Sequence, residues 1–260
     1  MTTHARDQDI VVQTPPRGRR RSLAGYMVMP AILALVCLGL YLYVSSRELD
    51  SIEARSLNAA SLATATWEHI QLTAVSTLLT LIVAVPLGIL LTRPFTRRIR
   101  PYVLTILTLG QAVPTIAVLV LLAVAFLFLG FQAAVVGLVL YAIIPVLLNT
   151  MVGLEQVDES VLEAGRGMGI SKFGVLRRLE LPLSVPIILA GVRTALVINV
   201  GTATLTTYIN AGGLGDIIVA GLSTNRVLIQ IVGAALTAVL ALLIDYLAGI
   251  AEDFLRPKGL

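Results

Sequence analysis

Six long runs of apolar residues decide what this chain can become. Crossing about 30 Å of hydrocarbon takes about 20 apolar residues in a helix. Runs of that order extend from Gly25 to Val44, Ile70 to Thr92, Tyr102 to Leu129, Ala133 to Thr150, Leu183 to Tyr208 and Val227 to Gly249. The second run carries no charge at all. With 57% hydrophobic and 13% charged residues and a mean hydropathy of +0.91, the composition is not that of a water-soluble domain. The expected fold class is all-α, a polytopic membrane protein with about six transmembrane helices and one large cytoplasmic loop.

Orientation follows from the short connections, because Lys and Arg collect on the cytoplasmic side. Arg17, Arg19, Arg20 and Arg21 precede the first run, and Arg93, Arg97, Arg98 and Arg100 separate the second from the third. Arg166, Lys172, Arg177 and Arg178 lie before the fifth, and Arg256 and Lys258 follow the sixth. The alternate side holds Arg47, Arg55 and Arg226. Both termini are therefore expected in the cytoplasm. The net charge of +4 reflects this bias and not a nucleic-acid partner. The chain divides into a basic tail (1–22) able to touch anionic lipid, a first span with an outside segment (23–69), a transmembrane core (70–250) with a loop at 151–182, and a short tail (251–260). The outside segment, residues 45 to 69 with Trp67, has room for a short interfacial helix. Tyr26, Tyr41 and Tyr43 are placed as interface anchors of the first span.

Several chemistries drop out. Cys37 is the single cysteine and lies mid-span, so neither an intramolecular disulfide nor a thiolate cluster can form. His4 and His69 are far apart and no metal-ligand spacing is present. "GRGMGISK" resembles a phosphate loop only superficially, since that loop needs Lys directly after its last Gly. Here Ile170 and Ser171 intervene before Lys172. No ATPase site, cofactor or catalytic constellation is expected.

The charged interruption "EAGRGMGISKFGVLRRLELP", residues 163–182, is the informative stretch. Upstream, Glu155, Asp158, Glu159 and Glu163 recur at helical spacing, and Arg166 follows three after Glu163. Acids early and bases late suit one helix dipole. Gly165 and Gly167 weaken that helix, and Gly169 is placed as its left-handed stop. Ser171 can cap a second helix running toward Pro182 with Val175, Leu176 and Leu179 on its apolar face. The pattern predicts an elbow: a helix, a tight bend, and a second helix feeding the fifth span.

Glu163-Ala164, Gly169, Leu179 and Leu181-Pro182 fall at the spacing of Glu-Ala-Ala, three residues, Gly, nine residues, Ile, one residue, Leu-Pro. The segment thereby resembles the loop that marks inner-membrane permease subunits of ABC importers. Gly165 departs from the second Ala, and Leu179 stands for Ile. The resemblance implies that this loop docks in a cleft of a separate ATPase subunit. Glu163, Ala164, Gly165, Arg166, Gly169, Ile170, Leu181 and Pro182 would make or flank the coupling contact. "WEHIQLTAVSTLL", "GQAVPT", "LYAIIPVLLNT" and "GVRTALVINVGTATLTTYINAGGLGDII" are similar to permeases of osmoprotectant importers for glycine betaine, choline or carnitine. Methionine and ergothioneine importers have similar permeases. The implied partners are the ATPase, a second permease of the same or a paralogous kind, an extracytoplasmic binding protein and the lipid membrane.

Polar groups inside hydrocarbon usually face a bundle interior or a wet cavity. Asn199, Thr202, Thr206 and Asn210 recur at three or four residues on one expected helical face, and Gln111 lies three before Pro114. These are candidates for a translocation path, with helix–helix adhesion as their structural alternative. "AGGLGD", residues 211–216, reads as a re-entrant outside gate or a flexible loop. Arg193 sits about 15 Å into the fifth span and needs compensation. Asp245 is the best buried partner, the alternative being a substrate carboxylate. No aromatic cage for a quaternary ammonium group is visible, which points to a separate binding protein as the source of selectivity. The competing class is an ion-driven secondary transporter, but no repeat is evident and Asp245 is the one obvious carboxylate within a span.

Overall fold

The computed structural model describes residues 23–255, and every regular element among them is helical. The basic tail 1–22 and the residues Arg256 and Lys258 lie outside the described residues. The helices are α1 (Leu23–Ser45), α2 (Ser51–Ser56), α3 (Ala59–Leu91), α4 (Arg100–Ala112), α5 (Thr115–Ala125), α6 (Gly130–Glu155), α7 (Glu159–Gly167), α8 (Lys172–Val175), α9 (Leu181–Thr202), α10 (Leu214–Ser223) and α11 (Val227–Leu255). Five helical stretches are long and apolar enough to cross a membrane, and the bent pair α4–α5 makes a sixth if counted as one span.

Two expected boundaries change. The second span begins within the segment expected outside: Asn58 caps α3 by accepting from the Ser61 amide, and the helix then runs 33 residues, about 50 Å. Trp67 and His69 are therefore helical residues, and the outside segment shrinks to a loop and α2, which Asp50 and Glu53 close with a capping box. The third span is not one helix. Its two halves meet at 90°. Pro114 has no amide hydrogen to donate and pushes Val113 into extended backbone at φ −75°, ψ 128°, so α4 stops there and α5 restarts in a new direction.

The core is the packing of α3, α6 and α9. Ala84 and Leu91 from α3 meet Ala142, Ile143, Val146, Leu147 and Met151 from α6 and Ala195 from α9. Small residues let the backbones approach: a methyl group on Gly191 of α9 would lie 2.6 Å from Asn149 Cβ and 2.8 Å from the Pro145 carbonyl oxygen of α6. A second cluster joins α3, α5 and α6 through Leu72, Leu119 and Leu138. A third seats α10 and α11 against α3 and α9 through Ala65, Val200, Leu214 and Ile229. The first helix sits on the margin, with Leu33 the one buried apolar side chain among those described on it. It is tied to α11 where Tyr246 Oη donates to the Tyr26 carbonyl at 2.6 Å and Tyr26 Oη donates to Asp253 at 3.3 Å.

Candidate functional site

The elbow between α6 and α9 is built by local chemistry. Asp158 starts α7 by accepting from the Ser160 amide at 2.9 Å, a bond that holds its carboxyl below the ordinary carboxylate range. At the other end Gly169 stands at φ +81°, the left-handed stop that glycine adopts most readily. The Ile170 amide donates to the Gly165 carbonyl at 3.2 Å and the Gly169 amide to the Arg166 carbonyl at 2.9 Å. This is a Schellman closure, which satisfies carbonyls that would otherwise end the helix unpaired. Ser171 then caps α8 by accepting from the Gly174 amide at 3.2 Å.

The departure at Gly165 has a packing cause. A methyl group there would approach Leu179 Cδ1 to 2.6 Å, so the bulkier contact from Leu179 goes with the missing side chain at 165. Leu162, Gly165 and Val175 form the buried inner side of the elbow. Its outer side presents Glu163, Ala164, Met168 (74% exposed) and Phe173 (71% exposed) to solvent. Arg166 pairs with Glu159 at 2.8 Å and not with Glu163, the neighbour expected from spacing. Glu163 is thereby left on the open face.

The elbow's legs are braced. Between α8 and α9 the chain makes a π turn over Leu176–Glu180, with the Leu181 amide donating to the Leu176 carbonyl. Pro182, just inside α9, has no amide hydrogen for the next α-helical bond, and the wider turn accommodates it. Glu180 is 6% exposed and is held by Arg93, two residues past the end of α3, at 2.6 Å. Arg100 at the start of α4 pairs with Glu155 at the end of α6. Arginines that spacing identifies only as topology signals thus clamp both legs of the elbow. Sequence reasoning missed Glu180 as a strut, although it lies inside the diagnostic "LELP".

The proposed path residues separate. Asn199 is fully buried, donates through Nδ2 to Thr77 Oγ1 of α3 at 3.0 Å, and leaves its Oδ1 without a protein partner. Thr202 bonds back to the Ile198 carbonyl and is half-buried, whereas Thr206 is buried and bonds to the Ala203 carbonyl. Asn210 is exposed at φ 60°. One narrow helical face does not survive, because Ala203–Ile209 is a 3₁₀ helix and its three residues per turn rotate the register after Thr202. Gln111 lies near the break in the third span and donates to the Tyr141 carbonyl of α6 at 3.0 Å. The matching polar stripe on α3, namely His69, Thr73, Ser76, Thr77 and Thr80, is buried at helical spacing and was legible but overlooked.

Arg193 and Asp245 meet, Nη2 to Oδ2 at 2.6 Å, with Glu252 4.0 Å from Nη1. Their side chains are 36% and 27% exposed, so within this chain the pair is half-buried and not buried as expected. At the opposite membrane face the "AGGLGD" turn is not a free loop. Glu68 accepts from the Gly213 amide at 3.0 Å and His69 Nδ1 from the Leu214 amide at 3.3 Å, pinning the start of α10 against α3. Among the described residues no cluster of His, Cys, Asp and Glu could hold a metal ion.

The described residues form a helical membrane bundle with a capped elbow held out at one face, the form of a membrane transport subunit. The chain belongs to the family of binding-protein-dependent transport system inner membrane components, whose pattern matches residues 84–257. It is 41% identical over 192 residues to the carnitine transport permease protein OpuCD of Listeria monocytogenes, covering 74% of this chain and 85% of that one. It is 37% identical over 203 residues to the glycine betaine/carnitine/choline transport system permease protein OpuCB of Bacillus subtilis, covering 78% and 92%. The fold matches an inward-facing structure of the MetNI methionine ABC transporter with a TM-score of 0.66 at 24% identity, over 75% of this chain and 96% of that one.

Proposed function

We propose that this chain is the transmembrane permease subunit of an ATP-driven importer for quaternary ammonium osmoprotectants of the glycine betaine, choline and carnitine type. It works with a separate ATPase, an extracytoplasmic binding protein and a second permease. The observation that carries the reading is the elbow: Glu163, Ala164, Met168 and Phe173 form its exposed, partly apolar outer face, its first helix is closed by a Schellman stop, and its legs are braced from Arg93 and Arg100. Such a surface suits insertion into a protein cleft, and its bracing lets a push on α7 reach α3, α4 and α9. The substrate class is supported by relatives at 37–41% identity that are named for carnitine, glycine betaine and choline. A methionine-type substrate has only a likeness of fold behind it.

The same reading places the elbow and both termini in the cytoplasm. Arg93, Arg97, Arg98, Arg100, Arg166, Lys172, Arg177 and Arg178 cluster around the elbow, against Arg47, Arg55 and Arg226 at the other end. The transmembrane core remains assigned to 70–250 with its coupling loop at 151–182. Gln111 of α4, Asn199 and Thr202 of α9, and Thr206 and Asn210 of the 3₁₀ segment that follows are proposed to border the path, and Arg193 with Asp245 to be a structural pair. Hydrolysis of ATP belongs to the partner chain.

The experiment reconstitutes the chain with its ATPase and binding protein in vesicles. Gly169→Val forces a β-branched residue into left-handed backbone, and Glu163→Lys reverses charge on the open face. Both should lower ATPase co-purification or uncouple hydrolysis from uptake while membrane insertion persists, and Arg55→Glu at the opposite end should do neither. Full assembly and coupled uptake in both elbow variants would refute the coupling role. Failure of betaines, choline and carnitine to stimulate uptake, with assembly intact, would refute the substrate class alone.

A further inference from the structure

At the face opposite the elbow, where α1 leaves the membrane, two cavities meet at Arg47. The first, about 460 Å³, lies between α1, α3 and α11 and is lined by Leu40, Val44, Leu57, Leu62, Leu236 and the thiol-bearing Cys37. The second, about 320 Å³, is polar, with Arg47, Arg226, Glu48, Glu53 and Tyr43 on its walls. Arg47 lines both cavities. Its guanidinium is held at the seam by a 3.1 Å hydrogen bond to Tyr43 Oη of α1.

An apolar cleft of this size at the end of a span leaves much of its lining without contact atoms unless something fills it. Its neighbour specifies what else that occupant carries. Arg226 spends Nη2 on Asp50 at 2.7 Å, but its buried Nε has no protein partner. Glu48 forms no ion pair among the described residues, and Glu53 Oε2 accepts only the Asp50 amide of its own capping box at 3.2 Å. Two guanidinium groups and two carboxylates around one small space suit a ligand with both charges and repel one that is only anionic.

We propose that the two cavities together hold one phospholipid with a primary ammonium headgroup, a phosphatidylethanolamine. One of its two acyl chains fills the first cavity while the other lies in the bilayer, its phosphate lies between Arg47 and Arg226, and its ammonium reaches Glu48 and Glu53. A primary ammonium has three N–H donors for those carboxylates, whereas the quaternary headgroup of phosphatidylcholine has none. The lipid cements α1 to α11, which matters because α1 buries little of itself in the bundle.

The test uses the purified full chain in detergent, offered equimolar phosphatidylethanolamine, phosphatidylglycerol and phosphatidylcholine and read by native mass spectrometry. One phosphatidylethanolamine should be retained with about tenfold preference over either competitor, as expected for the loss of one or two charge-assisted hydrogen bonds. Arg47→Ala should remove most of that retention, and Glu48→Gln should erase the preference over phosphatidylcholine. Leu40→Trp, which fills the first cavity from a half-exposed position, should abolish retention of all three lipids, while Arg97→Ala on the elbow side changes nothing. Alkylation of Cys37 by N-ethylmaleimide gives a second reading on the unmodified chain: phosphatidylethanolamine should slow it and phosphoethanolamine, which has no acyl chain, should not. Equal retention of the three lipids, or adducts indifferent to both Arg47→Ala and Leu40→Trp, would mean annular lipid only and overturn the proposal. Displacement of the lipid by phosphoethanolamine or glycine betaine at equal concentration would overturn it in favour of a soluble zwitterion site.

Discussion

The sixth and fourth helices are neighbours in the bundle and both are apolar, yet they are used in opposite ways. Fourteen of the 26 residues of α6 are buried, whereas none of the 13 residues of α4 is. The outer face of α4 carries Tyr102, Ile106 and Leu109, all more than 60% exposed. Lipid is as apolar as leucine, so burial inside a membrane protein is not driven as it is in water, and close packing decides which helices cohere. Gly191 and Ala195 of α9 let α6 approach, and nothing comparable brings α4 inward. The bundle is therefore a tight α3–α6–α9 centre, with α5 packed on α6 through Leu119 and α4 as a loosely held arm. The arm's free face suits the second permease of the proposed assembly.

That contrast can be broken at the centre first. Leu147→Ala, at a position with no solvent exposure, should cost about 2–5 kcal/mol in steric-trapping or detergent unfolding, because a cavity between packed helices cannot collapse fully. Gly191→Val should cost about 1–3 kcal/mol by forcing α6 and α9 apart. A loss below 0.5 kcal/mol in both would show that the centre is not the stable part. The Arg193–Asp245 pair is intermediate. Either single alanine variant should cost about 1–2 kcal/mol, discounted for half-exposed groups, and the double variant less than the sum. Strict additivity in the cycle would contradict a paired role.

On the arm, Ile106→Ala with Leu109→Ala should change the stability of the isolated chain by less than about 0.5 kcal/mol, yet reduce recovery of the two-permease complex. If the complex is unaffected, α4 faces lipid only. The smallest effect is at the elbow's cap. Asp158 has a carboxyl pKa lowered by its bond from the Ser160 amide, so its contribution is complete above the unfolded carboxylate range and fades as pH falls through the lower folded value. The protection factor of the Ser160 amide, its exchange corrected for the intrinsic slowing at low pH, should fall on acidification, and Asp158→Asn, a good cap at any pH, should remove that dependence. Unchanged protection would leave the cap without a role in holding the elbow.

Much of this is legible in the sequence, and what is legible is local. Apolar runs count the spans because each must cross the same thickness of hydrocarbon. The elbow could be read because its bend depends on adjacent residues: Gly169 at a left-handed stop, Ser171 at a cap, Pro182 at a helix start. Pro114 advertised a disturbance in the third span, but not that the halves would diverge by 90°, since that angle is set by what α5 packs against, Leu138 on α6 among others. The single face expected for Asn199 through Asn210 failed because a straight α-helix was assumed where the chain tightens to 3₁₀.

By itself, then, the sequence determined a helical membrane protein with a capped elbow between its spans, since span length, helix stops and charge bias act within a few residues of one another. Only the tertiary structure decided that Arg93 grips Glu180 across 87 residues, that Thr77 serves Asn199 across 122, and that Glu68 and His69 pin the α10 turn across 145. Partners so distant in the chain leave no periodicity to read. They are selected when α3 comes to rest against α9, and that contact depends on how closely the glycine and alanine faces of neighbouring helices can pack.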